Sequence, residues 1–180
     1  NGISQYSRNE RNANSGIVVA ITPEDYPGGP LAGVDFQREL ESRAFALGGS
    51  NYNAPAQRLV DFLEARPSND LGTGRPSYAP GVTPTDLSSA LPEFAIAAIR
   101  EALPTFAKQI PGFDHPDAVL TGVETRTSSP LRISRGADFQ STNTPGLFPA
   151  GEGAGFAGGI LSAGIDGLRV GEAVASHLTG

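Results

Sequence analysis

Cysteine, methionine and tryptophan are absent from this 180-residue chain, and histidine occurs only twice. Without cysteine there is no disulfide, no thiolate catalysis and no Cys-type zinc or iron–sulfur site. His115 and His177 are too few for a three-His metal centre, so no metal is expected. A chain that lacks methionine and opens at Asn1 is expected to be part of a longer parent. Basic residues are also scarce. Thirteen Lys and Arg stand against 19 Asp and Glu, a net charge of −6, which argues against broad electrostatic binding to nucleic acid or to an anionic membrane surface. No apolar run approaches the roughly 18 residues that a membrane-spanning helix needs, and no charged-then-apolar signal stretch opens the chain.

Glycine (23) and proline (15) are plentiful. They promise many loops and several backbone positions that only glycine can occupy. Residues 1–16 are polar and read as a loop. Residues 17–21 (IVVAI) are β-branched, lie between Gly16 and Pro23, and read as a strand. Phe36, Leu40, Ala44 and Leu47 recur at helical spacing over 34–47, with Glu39 and Arg43 paired at i,i+4 and Gly48-Gly49 as the stop. Residues 56–63 fit strand and helix equally, and 65–83 form a Gly/Pro-rich loop. Thr83-Pro84 reads as a cap followed by the first residue of a short helix. A longer helix starts at Pro92-Glu93, with Ile96, Ile99, Leu103, Phe106 and Ile110 on its apolar face and Pro104 as an expected kink or restart. A strand is expected near 119–125, a shorter one at 131–133, and a buried one at 147–150. A Gly-rich turn at 151–159 precedes a helix over 160–177, which carries two adjacent stripes: Leu161, Ile165 and Leu168, and Gly164, Gly167 and Gly171. The fold class is therefore α/β, and composition shifts near residue 128.

The chemistry concentrates in residues 147–168, which run strand, glycine turn, helix. Gly153-Ala154-Gly155-Phe156-Ala157-Gly158 fits G-x-G-x-x-G. Glycines let a ligand approach the backbone, and a helix N-terminus offers free N–H groups with a partial positive charge. The other reading is a turn needed only for tight helix packing. A dinucleotide fingerprint would open a βαβ unit with an acid about 20 residues on. Here Glu172 lies inside the helix, so this is not the first unit of such a domain. Elsewhere, Asp114-His115 pairs an acid with a histidine in a predicted surface loop, and Glu124, Arg126, Thr127, Ser128 and Ser129 gather polar groups at a strand end.

Residues 142–152 (TNTPGLFPAGE) resemble the late FAD motif of glutathione-reductase-type flavoproteins, in which a Thr precedes an apolar strand ending in Gly-Asp. Glu152 stands where that motif has Asp. Residues 155–160 match the point where the family's last helix aims at the flavin ring. Residues 1–4 with 11–14, and 122–133 (GVETRTSSPLRI), resemble a bacterial group of FAD-dependent dehydrogenases in which a substrate domain is inserted into the FAD domain. The resemblance implies that 1–127 is part of the inserted domain and 128–180 the C-terminal segment of the FAD/NAD(P)-binding domain. It implies FAD as cofactor, with residues 142–160 against the flavin and ribityl chain. Gly151, Glu152, Gly153, Gly155, Gly158, Gly159 and Ile160 are the cofactor-binding candidates. Arg126, Thr127 and Ser128 are candidates for an anionic substrate or the flavin. The implied partners are a small-molecule substrate and an N-terminal FAD-domain half, in a cytoplasmic oxidoreductase. The pyrophosphate fingerprint lies outside this sequence, so the chain alone is expected not to retain FAD. The alternative is a non-catalytic α+β module whose turn binds a phosphate-bearing ligand or only packs.

Overall fold

The computed structural model describes residues 6–180. Residues 1–4, which carry part of the resemblance, lie outside the described residues. In chain order the elements are α1 (Ala32–Leu47), β1 (Ala54–Arg58), α2 (Leu59–Leu63), β2 (Val82–Pro84), α3 (Glu93–Gln109), β3 (Val119–Thr121) and α4 (Ile160–Thr179), with single 3-10 turns at Pro23–Asp25 and Leu87–Ser89. The fold is mixed α/β, as expected. The chain forms two compact units, one of residues 6–22 and Arg38–Val123, the other of Pro23–Gln37 and Glu124–Gly180.

The first unit holds the three-stranded sheet, in the order β2-β1-β3. β1 runs parallel to β2 and antiparallel to β3. Residues 56–63 are ambiguous in sequence because nearly all of them are inside. Ala56, Gln57, Leu59, Asp61 and Phe62 are at most 2% exposed, so neither a period of two nor one of 3.6 is visible. The segment turns from strand to helix at Arg58. The Gln57 side chain meets this burial with two hydrogen bonds, donating to Arg66 O and accepting from Leu87 N. The core is Leu59, Phe62, Leu87, Ile96 and Leu103.

Four expectations change. Residues 17–21 join no ladder; Ile17 instead packs on the edge of the core, and residues 17–20 line a groove against Ala98, Ile99, Ala102 and Phe106. Thr83 is not a helix cap. Pro84 closes the edge strand β2, where its missing N–H is tolerated, and Asp86 caps the 3-10 turn through Ser88 N. The helix does not restart at Pro104: α3 runs on to Gln109, and Pro104 sits on the exposed side, where water can satisfy the carbonyl left unpaired. Residues 131–133 and 147–150 are in no ladder. A β-propensity becomes a strand only when a neighbour supplies a continuous hydrogen-bonding edge, and here the backbone bonds to neighbouring segments, Ile133 N to Ala154 O and Ser141 N to Leu147 O, do not extend into a ladder.

The second unit contains α4 and the turn before it. Neither expected stripe of α4 is its packing face. Leu161, Ile165 and Leu168 are 52–82% exposed, and the space above Gly164, Gly167 and Gly171 is open. The helix packs through Ala163, Asp166 and Val170, and His177 meets Phe148 edge to face. Residue 148 therefore does lie against the helix, although it is not in a ladder.

Candidate functional site

The turn at 151–159 is built from its own backbone and from the segment before it. Gly155 N donates to Glu152 O and Phe156 N to Gly151 O, closing the loop on itself. Residues 128–133 run alongside. Ile133 N donates to Ala154 O, and the Ser129 hydroxyl lies within hydrogen-bonding distance of Leu131 O and Gly153 O. Ala154 is buried at this seam. The Ser128 Oγ lies 3.6 Å from where a Cβ on Gly158 would sit, so the structure joins one substrate candidate to the cofactor candidates. Arg126 and Thr127 precede that contact and are exposed.

The glycines of the turn divide by physical cause. Gly155 has φ +80°, and a Cβ there would fall 2.6 Å from Leu131 O and 3.0 Å from Arg132 Cα. Packing alone requires glycine at this position. Gly153 is different: its φ is ordinary, and nothing lies within 4 Å of its Cβ position. Gly158 and Gly159 meet only serine hydroxyls at 3.6 Å. The Glu152 side chain is exposed, with no partner among the described residues. Ile160, 93% exposed, opens α4, whose N-cap Gly159 contributes no side-chain cap and whose first turn carries no acid. The turn thus offers a carboxylate acceptor, an open backbone surface and an uncapped helix N-terminus. That donor set fits a neutral hydroxyl-bearing chain leading to an electron-rich ring.

Sequence reasoning missed the pair that anchors the turn. Arg135 donates to both oxygens of Asp166, at 2.6 and 3.0 Å, and to Pro149 O at 2.7 Å. Asp166 Oδ2 also accepts from Gly151 N at 2.8 Å. Both side chains are largely inside, 9% and 13% exposed. The Arg135 guanidinium stands 3.6 Å from the Phe156 ring centre and 4.7 Å from that of Phe139, and Arg132 stacks on Phe156 at 4.3 Å. The two partners are 31 residues apart, so no local spacing signals the pair; its only trace is the single acid among residues 160–168.

The Arg135 hydrogen bonds, and next the Gly151 N–H, lower the Asp166 carboxyl to about 2. The folded value lies below the usual aspartate range, so the pair contributes its full stability above about pH 4 and loses it as pH falls toward 2. An NMR titration of Asp166 will show a midpoint near 2, and thermal stability will drop over this window less in Asp166→Asn than in the parent sequence. A midpoint near 4 would mean that the pair is not formed.

Within the Asp114–Asp117 segment, His115 bonds the backbone of Asp117 and not its carboxylate. Its Nδ1 accepts the Asp117 N–H, while the Asp117 carboxylate is taken by Arg58 and by the hydroxyl and N–H of Thr73. These contacts, the Thr73 hydroxyl foremost, hold that carboxyl below its usual range. Among the described residues no helix is long and apolar enough to cross a membrane.

Residues 1–127 match the family described as "FAD-dependent protein, C-terminal domain-like". An uncharacterized protein of Clostridium beijerinckii is 50% identical over 173 residues, covering 96% of this chain and 32% of that protein. The chain thus spans about one third of the length of the curated relative it matches.

Proposed function

From the premise that this chain belongs to the FAD-dependent protein, C-terminal domain-like family, we propose that it is the C-terminal part of an FAD-dependent oxidoreductase whose turn 151–159 and α4 N-terminus receive the flavin and its ribityl chain. The observation that carries this reading is Gly153, which no backbone strain or neighbouring atom explains, beside Glu152, whose side chain has no partner among the described residues. When bound, FAD supplies the hydride or electron chemistry. Glu152 accepts a hydrogen bond from a ribityl hydroxyl. Gly153, Gly158 and Gly159 admit close approach. The free N–H groups at the start of α4, from Ile160 on, favour negative charge at the ring's pyrimidine side. Ser128, with Arg126 and Thr127 before it, faces a small anionic substrate. At Gly155 the packing alternative holds instead, since Leu131 and Arg132 account for that glycine.

In this reading residues 1–127 are part of the inserted substrate domain and 128–180 finish the FAD domain of a cytoplasmic enzyme. The uncovered face of α4 supports a partner within the parent. Glycine costs roughly 1 kcal/mol relative to alanine inside a helix, and α4 carries three with open space above them beside three exposed aliphatic side chains. The N-terminal half of the FAD domain covers this face.

The test is FAD affinity in the full-length parent. A charge-assisted hydrogen bond contributes about 1.5–3 kcal/mol. Glu152→Ala will weaken FAD by about ten- to a hundredfold, and Glu152→Asp by less, with circular dichroism unchanged in both. Undiminished affinity in a folded Glu152→Ala protein would remove Glu152 from the site.

A further inference from the structure

Turn 151–156 has few interactions of its own to hold its shape. Its internal backbone bonds are two, and its Glu152 and Gly153 are exposed. Residues 129–133 border its middle, at Gly153, Ala154 and Gly155, while its two ends and α4 are joined through one guanidinium. Arg135 holds the carbonyl that precedes the turn (Pro149), holds through Asp166 the first amide of the turn (Gly151), and underlies the ring at its far end (Phe156). The same ion pair reaches α4 two turns in, at Asp166, and so links the position of the turn to that of the helix whose N-terminus follows it. Only arginine performs all of this. A planar fork binds both carboxylate oxygens while its face stays on the aromatic ring, which an ammonium cannot match.

We infer that Arg135, acting with Asp166, is the positioning residue that sets the direction of the Gly151–Phe156 backbone and of α4 toward the cofactor. The inference rests on the flavin reading for its ligand, but its structural half stands on the cofactor-free protein. Arg135 touches no reacting atom in this account. It fixes where the Glu152 carboxylate and the uncapped amides point.

The experiment uses the full-length parent, with and without FAD, as parent sequence, Arg135→Lys and Asp166→Asn. Hydrogen exchange is read on amides 151–156, and FAD affinity and the visible circular dichroism of bound flavin are measured alongside. Arg135→Lys will speed exchange at 151–156 by about tenfold or more in the cofactor-free protein, leave β1 and α3 protected, weaken FAD by about tenfold, and alter the flavin dichroism. Asp166→Asn keeps an acceptor for Gly151 N while losing the charge, so it will shift the same readouts in the same direction and to a smaller extent. If the parent binds FAD and Arg135→Lys leaves both exchange and dichroism unchanged, the inference is wrong. If the parent itself binds no FAD, the flavin reading falls, and accelerated exchange confined to 151–156 would still support the anchoring of the turn by Arg135.

Discussion

Gly155→Ala will disrupt the turn before α4, whereas Gly153→Ala, two residues earlier in the same motif, will leave the fold unaltered. At Gly155 the φ of +80° costs an alanine about 1–2 kcal/mol. The new methyl group also overlaps Leu131 O and Arg132 Cα, which are backbone atoms without rotamers to escape into. Overpacking of this kind costs about 1–3 kcal/mol, so the expected loss is about 2–5 kcal/mol. At Gly153 the methyl group meets open space, and the effect on stability should stay within about 0.5 kcal/mol. Urea unfolding of the two variants measures the difference. FAD affinity in the parent adds a second readout, because an alanine at 153 projects into the surface proposed to receive the cofactor. A Gly155→Ala protein as stable as the parent would show that residues 131–132 do not pack on the turn.

A comparable loss is expected far from the turn, at Phe62. Its ring is 1% exposed and packs with Leu59, Leu87, Ile96 and Leu103. The Arg100 guanidinium covers it at 4.9 Å while Arg100 Nε donates to Phe62 O. Phe62→Ala removes the largest of the core side chains and leaves a cavity under α3, which costs about 3–5 kcal/mol. The backbone bond from Arg100 survives, since the acceptor is a carbonyl; the stacking does not. Domains of this kind are stable by about 5–15 kcal/mol, so the variant will populate unfolded chain at modest urea concentration. A change below about 1 kcal/mol would place Phe62 outside the core.

Long periodic segments were legible in the sequence. Leu40 and Ala44 are buried in α1 at the spacing that announced the helix, and the Glu39–Arg43 pair forms on its wet side. α3 buries Ile96 and Leu103 but leaves Ile110 56% exposed at its end. The Gly-rich turn and α4 also stand where the pattern placed them. Each of these follows from contacts between residues a few positions apart, so the sequence already contains both partners.

Everything that needs a distant partner was decided by the tertiary structure. Residues 17–21 and 147–150 have strand-like composition and no ladder, because a ladder belongs to two segments and composition describes one. Residues 56–63 had no readable period because burial on all sides erases the polar half of any pattern. Gly153 and Gly155 look alike in G-x-G-x-x-G, yet only the approach of residues 131–132 makes one of them obligatory for packing. Arg135 and Asp166 are unremarkable as letters 31 positions apart, and become a buried pair only when the chain folds α4 back along the segment that precedes the turn. Composition and periodicity determined the α/β class of this protein, and the glycine motif with its flanking resemblance marked the candidate site. The rigidity and aim of that site come from charge and packing between segments remote in sequence, which local spacing cannot encode.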